Sequence, residues 1–338
     1  MGDRDQGSAR PRRRPTIRQL AAHTGLSPAA VSYALRGLQV SEETQARVQA
    51  AAEELGFRTD PIARALRGGT TASVGMVVGS LADLYLQELV AGVQRHLRAG
   101  GRQLLIADAD GDPTLEVGLA LELYDRRVDA LIVAPIEPFA AGWSEVAERV
   151  PTVSIGERMP NAAIAGQVLF DNERAVRAVL EHLAERGHRR IGVLSWAIER
   201  APARSAEQAV LEWSQRLGLE TQLHACEYSL NGAQPLARDL LAAPERPTAI
   251  FALSDSVALG VYAACRELGL RIPEDVAVVG FDDQPVSRLL DPPLTSVRWH
   301  TDRIAEIAVR LAVGASEEAA LARTAIVPPA LHARGSTG

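Results

Sequence analysis

The sequence predicts an N-terminal all-α helix-turn-helix head followed by an α/β core of two doubly wound, parallel-sheet lobes. Three short patterns with apolar residues at helical spacing occupy the region 15–60, and beyond residue 70 short apolar runs alternate with amphipathic helical patterns. The 338 residues exceed the usual size of one domain. The alternating part is also longer than one sheet needs, so we expect two lobes of similar construction.

Positive charge is concentrated at the N-terminus, although the whole chain has a formal net charge of -6. Residues 1–70 contain 11 arginines and seven acidic residues, whereas the rest of the chain contains 25 arginines and 35 acidic residues. A basic segment suits a partner with a phosphate backbone. Residues 1–14 lack apolar periodicity, so we expect a disordered basic arm there.

The first two helical patterns have the spacing of a DNA-reading hairpin. Thr16 can cap the first helix, Gly25 ends it, and Ser27 can cap a second helix with Pro28 at its first position. A third pattern covers 42–56. The candidate DNA contacts of this head are Thr16, Ser27, Pro28, Ala29, Ala30, Ser32, Tyr33 and Arg36. The alternative is a helical hairpin with a purely structural role.

The core has seven candidate strands, each a short apolar run. They cover 73–79, 103–107, 129–134, 151–155, 191–195, 248–253 and 276–281. In open parallel sheets, ligands bind beyond the carboxyl ends of the strands. We therefore expect a small-molecule cleft at these ends.

Several separate motifs, in order along nearly the whole chain, resemble the lactose repressor (LacI/GalR) family of transcriptional regulators. They are SEET at 41–44, AAEELGF at 51–57, PIARALR at 61–67, VAVVGFDD at 276–283 and LTSV at 294–297. The resemblance implies a helix-turn-helix DNA-binding domain at 15–60, a hinge helix at 61–68 and a periplasmic-binding-protein-like core at 71–338 that binds the effector and dimerises.

The same resemblance implies a homodimeric repressor that binds a pseudo-palindromic operator in double-stranded DNA under allosteric control by a small molecule. Ala63 and Leu66 in the hinge would contact DNA, and Leu66 would enter the minor groove, where an apolar wedge unstacks a base step. The second helix departs from the family pattern, because Ala30 replaces the usual threonine and Tyr33 replaces an arginine that reads a base.

By motif alignment with the family, nine residues would bind the effector. They are Ser80, Asp83, Tyr85, Leu86, Asp171, Arg204, Tyr228, Ser254 and Asp282. For each acid or serine, a helix cap or a solvated turn is the alternative.

Two departures from the family affect the ligand. Ala206, Ala209 and Val210 occupy the positions among which the family has an arginine, and Asp83-Leu84-Tyr85 replaces an Asn-Pro-aromatic run. We expect an effector with an apolar face or a positive charge, and not a simple sugar. The alternative, that Arg204 supplies the missing guanidinium and restores sugar binding, stays open.

Other functions fit the sequence less well. An enzyme on the same fold would leave the head unexplained, and the chain has no Gly-x-Ser-x-Gly elbow, phosphate-cradling glycine loop or histidine pair at metal spacing. We expect no enzyme activity, cofactor or metal. A secreted solute-binding protein is a second alternative, but we find no signal peptide or membrane span and expect a cytoplasmic protein. No heptad extension follows the core, so we expect a dimer.

Overall fold

The computed structural model describes residues 15–38, 40–57, 70–196, 204–227, 229–314 and 324–338. The chain divides into two compact units, residues 1–71 and residues 72–338. The first unit, here called the head, and the second, here called the core, each have an apolar interior.

Three helices form the described part of the head. They are α1 (Ile17–Thr24), α2 (Pro28–Ala34) and α3 (Glu42–Leu55). Each follows a hydroxyl residue, Thr16, Ser27 or Ser41, whose side chain accepts a hydrogen bond from a first-turn amide. Gly25 and Gly56 end α1 and α3 with φ of 66° and 62°, which a residue without a side chain adopts most readily. The three helices predicted from the sequence are therefore present.

The head is held together by a small apolar cluster shared by its three helices. Leu20 of α1, Val31 of α2 and Val48 of α3 are fully buried in it. These residues recur at helical spacing, so one face of each helix packs inward and the other remains on the surface.

The core contains two six-stranded sheets. The strands are β1 (Ser73–Val78), β2 (Gln103–Asp108), β3 (Ala130–Ala134), β4 (Thr152–Gly156), β5 (Gly166–Phe170), β6 (Arg190–Trp196), β7 (Glu220–Cys226), β8 (Ala249–Ala252), β9 (Ala277–Asp282), β10 (Thr295–Arg298), β11 (Thr324–Val327) and β12 (Ala330–His332). The first sheet has the order β11-β5-β4-β3-β1-β2 and the second the order β12-β10-β9-β8-β6-β7. We call the lobes built on them the N-lobe and the C-lobe.

Helices connect the parallel strands of both lobes. They are α4 (Leu84–Ala99), α5 (Glu116–Asp125), α6 (Gly142–Arg149), α7 (Asn172–Glu185), α8 (Ser205–Leu217), α9 (Leu230–Ala242), α10 (Asp255–Leu268) and α11 (Thr301–Gly314). Short 3-10 helices cover Pro285–Arg288 and Gly335–Thr337. All neighbouring strands of the N-lobe are parallel, and in the C-lobe only β12 runs antiparallel, against β10. The predicted pair of parallel-sheet lobes is confirmed.

The described chain passes between the lobes three times, after β5, after β10 and after β11. As a result α11, which follows the strands of the C-lobe, packs against α4 and against β3, β4 and β5 of the N-lobe. β11 then pairs with β5, with Thr324 opposite Gln167. The N-lobe is therefore built from two distant parts of the chain.

All seven predicted strands exist, with ends that differ from the prediction by at most one residue, but the structure adds β5, β7, β10, β11 and β12. The residues of the edge strand β7 are exposed or half-buried up to its last residue, Cys226, and three of them are Glu220, Gln222 and His224, so it lacks a continuous apolar run. No helix in the described ranges combines the length and apolar character needed to cross a membrane.

The contact between α9 and α10 generates a prediction for stability. A Cβ at Gly260 of α10 would lie 2.7 Å from the Ala233 Cβ and 2.7 Å from the Leu230 carbonyl oxygen, both in α9. Gly260→Ala should lower the free energy of unfolding by about 1–3 kcal/mol, because two closely packed helices must separate. Denaturant unfolding followed by tryptophan fluorescence measures this, since all four tryptophans lie in the core.

Gly118→Ala is the matched control. Gly118 is an exposed residue in the first turn of α5, and a Cβ there would meet nothing within 4 Å. This variant should gain about 0.5–1 kcal/mol from helix propensity. Wild-type stability in Gly260→Ala would contradict the close approach of α9 and α10.

Candidate functional site

The outer face of α2 carries most of the residues expected to contact DNA. Val31 and Ala34 are buried, whereas Pro28, Ala29 and Tyr33 are exposed, Tyr33 by 40%. Ser32 and Ala30 are half-buried. A short helix with one buried side and one free side can lie in a major groove.

An aromatic and a cationic side chain lie together on this face. The Arg36 guanidinium is 5.2 Å from the centroid of the Tyr33 ring, and Arg36 Nε donates to the Ser32 carbonyl oxygen at 3.1 Å. These contacts orient both groups before any ligand arrives. The pair offers a hydroxyl, a ring face and a positive charge at one place on the surface.

Thr16 and Ser27 act as helix caps. Ser27 Oγ accepts from the Ala30 amide at 3.2 Å, and Thr16 Oγ1 accepts from the Gln19 amide at 3.4 Å while its hydroxyl donates to Gln19 Oε1 at 3.1 Å. As an acceptor in its cap, Ser27 keeps a hydroxyl proton for an outside oxygen. The other two predicted DNA contacts, Ala63 and Leu66, lie outside the described residues.

A cavity of about 880 Å³, including the solvent in its mouth, lies in the core at the carboxyl ends of strands from both lobes. Gly79, Ala134, Gly156 and Phe170 line it at the ends of N-lobe strands. Ser195, Leu253, Phe281, Asp282 and Trp299 line it from the C-lobe side. The cleft is therefore where the topology of parallel sheets predicts a ligand.

Asp83 joins the two lobes at one end of the cavity. Its Oδ1 caps α4 by accepting from the Tyr85 amide at 2.7 Å and from the Leu86 amide at 3.4 Å, and its Oδ2 accepts from Ser254 Oγ of the C-lobe at 3.3 Å. Burial raises the pKa of Asp83 to about 6, although the hydrogen bonds from the two amides and from Ser254 lower it.

Asp282 lies beside this contact in a strained turn. Its φ is 123° and that of Asp283 is 51°, conformations that side-chain-bearing residues seldom adopt. Burial raises the pKa of Asp282 well above its usual range, and the charges of Asp83 and Asp255 raise it further. The turn begins at Asp282, the last residue of β9, and is anchored by Asp255. The buried carboxylate of Asp255 accepts a hydrogen bond from the Gln284 amide at 2.7 Å.

Aromatic rings form one wall of the cavity. Phe170 and Trp299 stack with centroids 4.8 Å apart, and Tyr85 and Phe281 contact this pair edge-on at 5.8 Å and 5.4 Å. Tyr85 is 6% exposed, and its hydroxyl has no hydrogen-bond partner among the described residues. A buried hydroxyl without a partner is costly, so a ligand that bonds it gains affinity.

Charged residues form the polar side of the cavity. Arg204, directly before α8, lies with its Nε 3.8 Å from Glu157 Oε1, and Ser205 Oγ donates to the same oxygen at 3.0 Å. Glu207 Oε2 accepts from the Arg204 amide at 3.2 Å, and its Oε1 accepts from Ser195 Oγ. The guanidinium therefore faces the cavity, although Ala206 occupies the family's arginine position.

Five of the nine residues predicted to bind the effector line the cavity: Asp83, Tyr85, Leu86, Arg204 and Asp282. Ser80, Asp171 and Ser254 do not line it; each accepts a nearby amide, from Ala82, Arg174 and Ser256 respectively. Tyr228 lies outside the described residues. The sequence analysis missed the lining residues Glu157, Glu207, Asn172, Phe170 and Trp299.

A buried carboxylate also supports the cavity wall from behind. Glu116 Oε1 accepts from the Ile136 amide at 2.7 Å and Oε2 from the Glu137 amide at 3.0 Å. Burial raises the pKa of Glu116 to about 7, while these amides and the positive charge of Arg204 lower it. The hydrogen bonds fix the loop that carries Pro135 and Ile136 into the cavity.

The raised pKa of Asp83 generates a prediction for stability against pH. The folded state binds this proton more tightly than the unfolded chain, so the free energy of unfolding falls as pH rises from about 4 to about 6. Asp83→Asn keeps an acceptor for the cap and removes the charge. It should be more stable than the wild type by about 1–3 kcal/mol at pH 7.5 and equal to it near pH 4.

Urea unfolding at the two pH values, followed by tryptophan fluorescence, measures this difference. Asp239→Asn, at an exposed aspartate paired with Arg238, controls for the loss of one negative charge. A variant less stable than the wild type at pH 7.5 would contradict the cost assigned to burying the Asp83 charge.

Two family models match the two units. Residues 16–60 match the model of bacterial regulatory proteins of the lacI family, and residues 180–337 match the model of a periplasmic binding protein-like domain. The first match covers the head, and the second covers the C-lobe together with the late elements of the N-lobe.

Whole-chain comparisons agree with these matches. The chain is 28% identical over 329 residues to the ribose operon repressor of Escherichia coli (strain K12), covering 95% of this chain and 99% of the repressor. It is 28% identical to the HTH-type transcriptional repressor PurR of Vibrio atlanticus (strain LGP32), covering 88% of this chain and 90% of PurR.

Solved structures share the fold. The lac repressor dimer bound to operator and the anti-inducer ONPF superposes with a TM-score of 0.84 at 23% identity, covering 96% of this chain and 99% of that one. The complex of the transcriptional regulator CelR with cellobiose superposes with a TM-score of 0.66 at 27% identity, covering 96% and 100%. The capped three-helix head is thus a lacI-family DNA-binding domain, the two-lobed core is periplasmic binding protein-like, and the chain is a DNA-binding transcriptional regulator.

Proposed function

We propose that this regulator is a homodimeric repressor that binds a pseudo-palindromic operator with two heads and is controlled by a small molecule bound in the cleft of the core. The observation that carries this proposal is that one chain contains both an exposed α2 face bearing Tyr33 and Arg36 and a cavity enclosed by two lobes. The first feature suits a DNA groove, and the second suits a small ligand.

The relatives support each part of the proposal. The ribose operon repressor and PurR are named as repressors, and the lac repressor is described as a dimer bound to operator. CelR is in complex with cellobiose. Two heads related by a two-fold axis read two half-sites of mirrored sequence, so a dimer requires a palindromic operator.

We assign the DNA contacts to residues of the head and hinge. Tyr33, Ser32 and Arg36 would meet base edges and backbone from the free face of α2, while the Ser27 hydroxyl would bond a phosphate. Leu66 in the hinge would open a minor-groove step. We place the DNA-binding domain at 15–60, the hinge at 61–68 and the core at 71–338, after the basic arm of 1–14.

We further propose that the chain has no enzymatic activity, since the relatives are repressors, and that it works in the cytoplasm, where a bacterial operator lies. The cleft would act on the heads through the equilibrium between two arrangements of the lobes, to which the ligand binds with different affinity.

Selection from a random DNA library tests the operator and the role of Tyr33 together. The full-length wild type should enrich a two-fold symmetric site. Tyr33→Ala should enrich a site with the same half-site spacing and a different base at one position in each half, because base contacts specify and phosphate contacts only position. A footprint of a monomer on one asymmetric half-site would refute the dimer.

Tyr33→Phe is the matched control for this selection. The Phe variant keeps the ring beside Arg36 and removes only the hydroxyl, so it separates a hydrogen bond to a base from ring contact. If both variants enriched the wild-type site, Tyr33 would have no part in base recognition.

Leu66→Ala tests the hinge. The variant should lose about 1–3 kcal/mol of affinity for the selected operator and much less for random DNA, because the wedge contributes only when the central step is bent. Fluorescence anisotropy at two salt concentrations measures both affinities, and binding should weaken steeply with salt in both proteins. An equal loss on operator and random DNA would exclude the wedge.

A further inference from the structure

We infer that the cleft of the core binds a small organic cation with a flat apolar body, which Glu157 and Glu207 hold by its positive end. This inference names the chemical class of the effector and therefore rests on the effector role proposed for the cleft. Four features of the cavity support it: the charges of its lining residues, the incomplete pairing of Arg204, the aromatic wall and the Tyr85 hydroxyl, which has no hydrogen-bond partner among the described residues.

The charges that line the cavity favour a cation. Four carboxylates line it, Asp83, Glu157, Glu207 and Asp282, against one guanidinium, that of Arg204, among the residues the structure describes. Burial raises the pKa of Asp83 to about 6 and the pKa of Asp282 well above its usual range, so each carries less negative charge near neutral pH than an exposed aspartate does. The two glutamates then determine the charge of the polar side, and one arginine cannot balance both.

The pairing of Arg204 leaves room for a second positive group. Its Nε lies 3.8 Å from Glu157 Oε1, beyond hydrogen-bond distance, and the described hydrogen bond to Glu157 comes from Ser205. The Glu157 side chain is 12% exposed and that of Arg204 is 26% exposed. A poorly solvated carboxylate that has no hydrogen bond from its neighbouring cation gains from a ligand that supplies a positive group at hydrogen-bond distance.

Glu207 is held in position without a cation. Its two oxygens accept from Ser195 Oγ and from the Arg204 amide, both neutral donors, and Asn172 Nδ2 donates to Ser205 Oγ at 2.7 Å beside it. The neutral bonds fix the direction of the carboxylates and leave their charge uncompensated. The polar side is thus organised before a ligand binds.

The other walls require an apolar ligand body. Ile136, Ile155 and Leu253 line the cavity and are 3%, 3% and 6% exposed, and the stacked rings of Phe170 and Trp299 lie among them. A sugar with several hydroxyl groups would leave those groups without partners against this surface. A flat ring buries the same area without that cost.

Tyr85 adds a hydrogen-bonding group to the aromatic wall. Its side chain lines the cavity, and its buried hydroxyl has no partner among the described residues. Burial raises the pKa of Tyr85 well above its ordinary value, and the charges of Asp282 and Asp83 raise it further, so its hydroxyl remains a donor at neutral pH. A ligand that places an oxygen beside this hydroxyl therefore gains a hydrogen bond.

Matched compounds that differ only in charge test the inference. The probes are tyramine with its neutral partner tyrosol, 4-hydroxybenzamidine with its neutral partner 4-hydroxybenzamide, and the sugars D-ribose and D-glucose. Thermal unfolding of the full-length protein without DNA, followed by calorimetric titration, gives their affinities. We expect at least one cation to bind about tenfold or more tightly than its neutral partner.

The glutamates are tested by Glu157→Gln combined with Glu207→Gln, which keeps the shape and hydrogen-bonding capacity of both side chains. This variant should lose about tenfold or more of the cation affinity and keep that for the neutral partner. Glu212→Gln controls for charge, because Glu212 is an exposed residue of α8 paired with Arg216. It should bind like the wild type.

Two results would overturn the inference: no cation exceeding its neutral partner in the wild type, or unchanged cation affinity in the double variant. Operator binding, measured separately by anisotropy with and without the bound cation, tests the proposed function. A cation that binds as expected but leaves operator affinity unchanged would support the ligand class and refute the effector role of the cleft.

Discussion

The fully buried carboxylate of Asp255 fixes the C-lobe side of the cleft. It accepts hydrogen bonds from Ser296 Oγ at 2.6 Å, Ser287 Oγ at 2.5 Å and the Gln284 amide at 2.7 Å, which join β10, a 3-10 helix and the turn after β9 to the start of α10. Any side chain at Gly280 would collide with this carboxylate. These hydrogen bonds hold the turn that carries Asp282 at the cavity. The backbone strain of the turn is tolerated because a buried acid without hydrogen-bond partners would cost far more free energy.

The sequence predicted the location of the cleft better than it predicted which residues line it. Asp282 directly follows the predicted strand 276–281, Asp83 comes four residues after the predicted strand 73–79, and the carboxyl ends of parallel strands meet at one edge. Glu157 also follows a predicted strand, so its position contained the same signal. The position of Glu207 contained no such signal. Glu207 reaches the cavity from the first turn of α8, where an acidic residue usually indicates only a helix cap.

The fold was predictable where local pattern determines structure. The head followed from its capping residues and glycines, and seven strands of the two lobes followed from their apolar runs, whereas β5 and β10, which lie inside their sheets, did not. Edge strands such as β7 were missed because one of their faces is open to solvent, which makes their composition that of a loop. The strand β11 was missed because its pairing with β5 depends on residues that are distant along the chain.

The distance between β5 and β11 also determines the order in which the protein can form during synthesis. The N-lobe begins with β1, yet its sheet is closed by Thr324–Val327, and α11 covers that sheet only after the strands β6–β10 of the C-lobe have been made. During synthesis the N-lobe therefore keeps an open edge at β5 and a partly uncovered apolar face until α11 and β11 have been made. At that point the C-lobe lacks β12 and the 3-10 helix Gly335–Thr337, so the lobe that starts first is completed only shortly before the lobe that starts second.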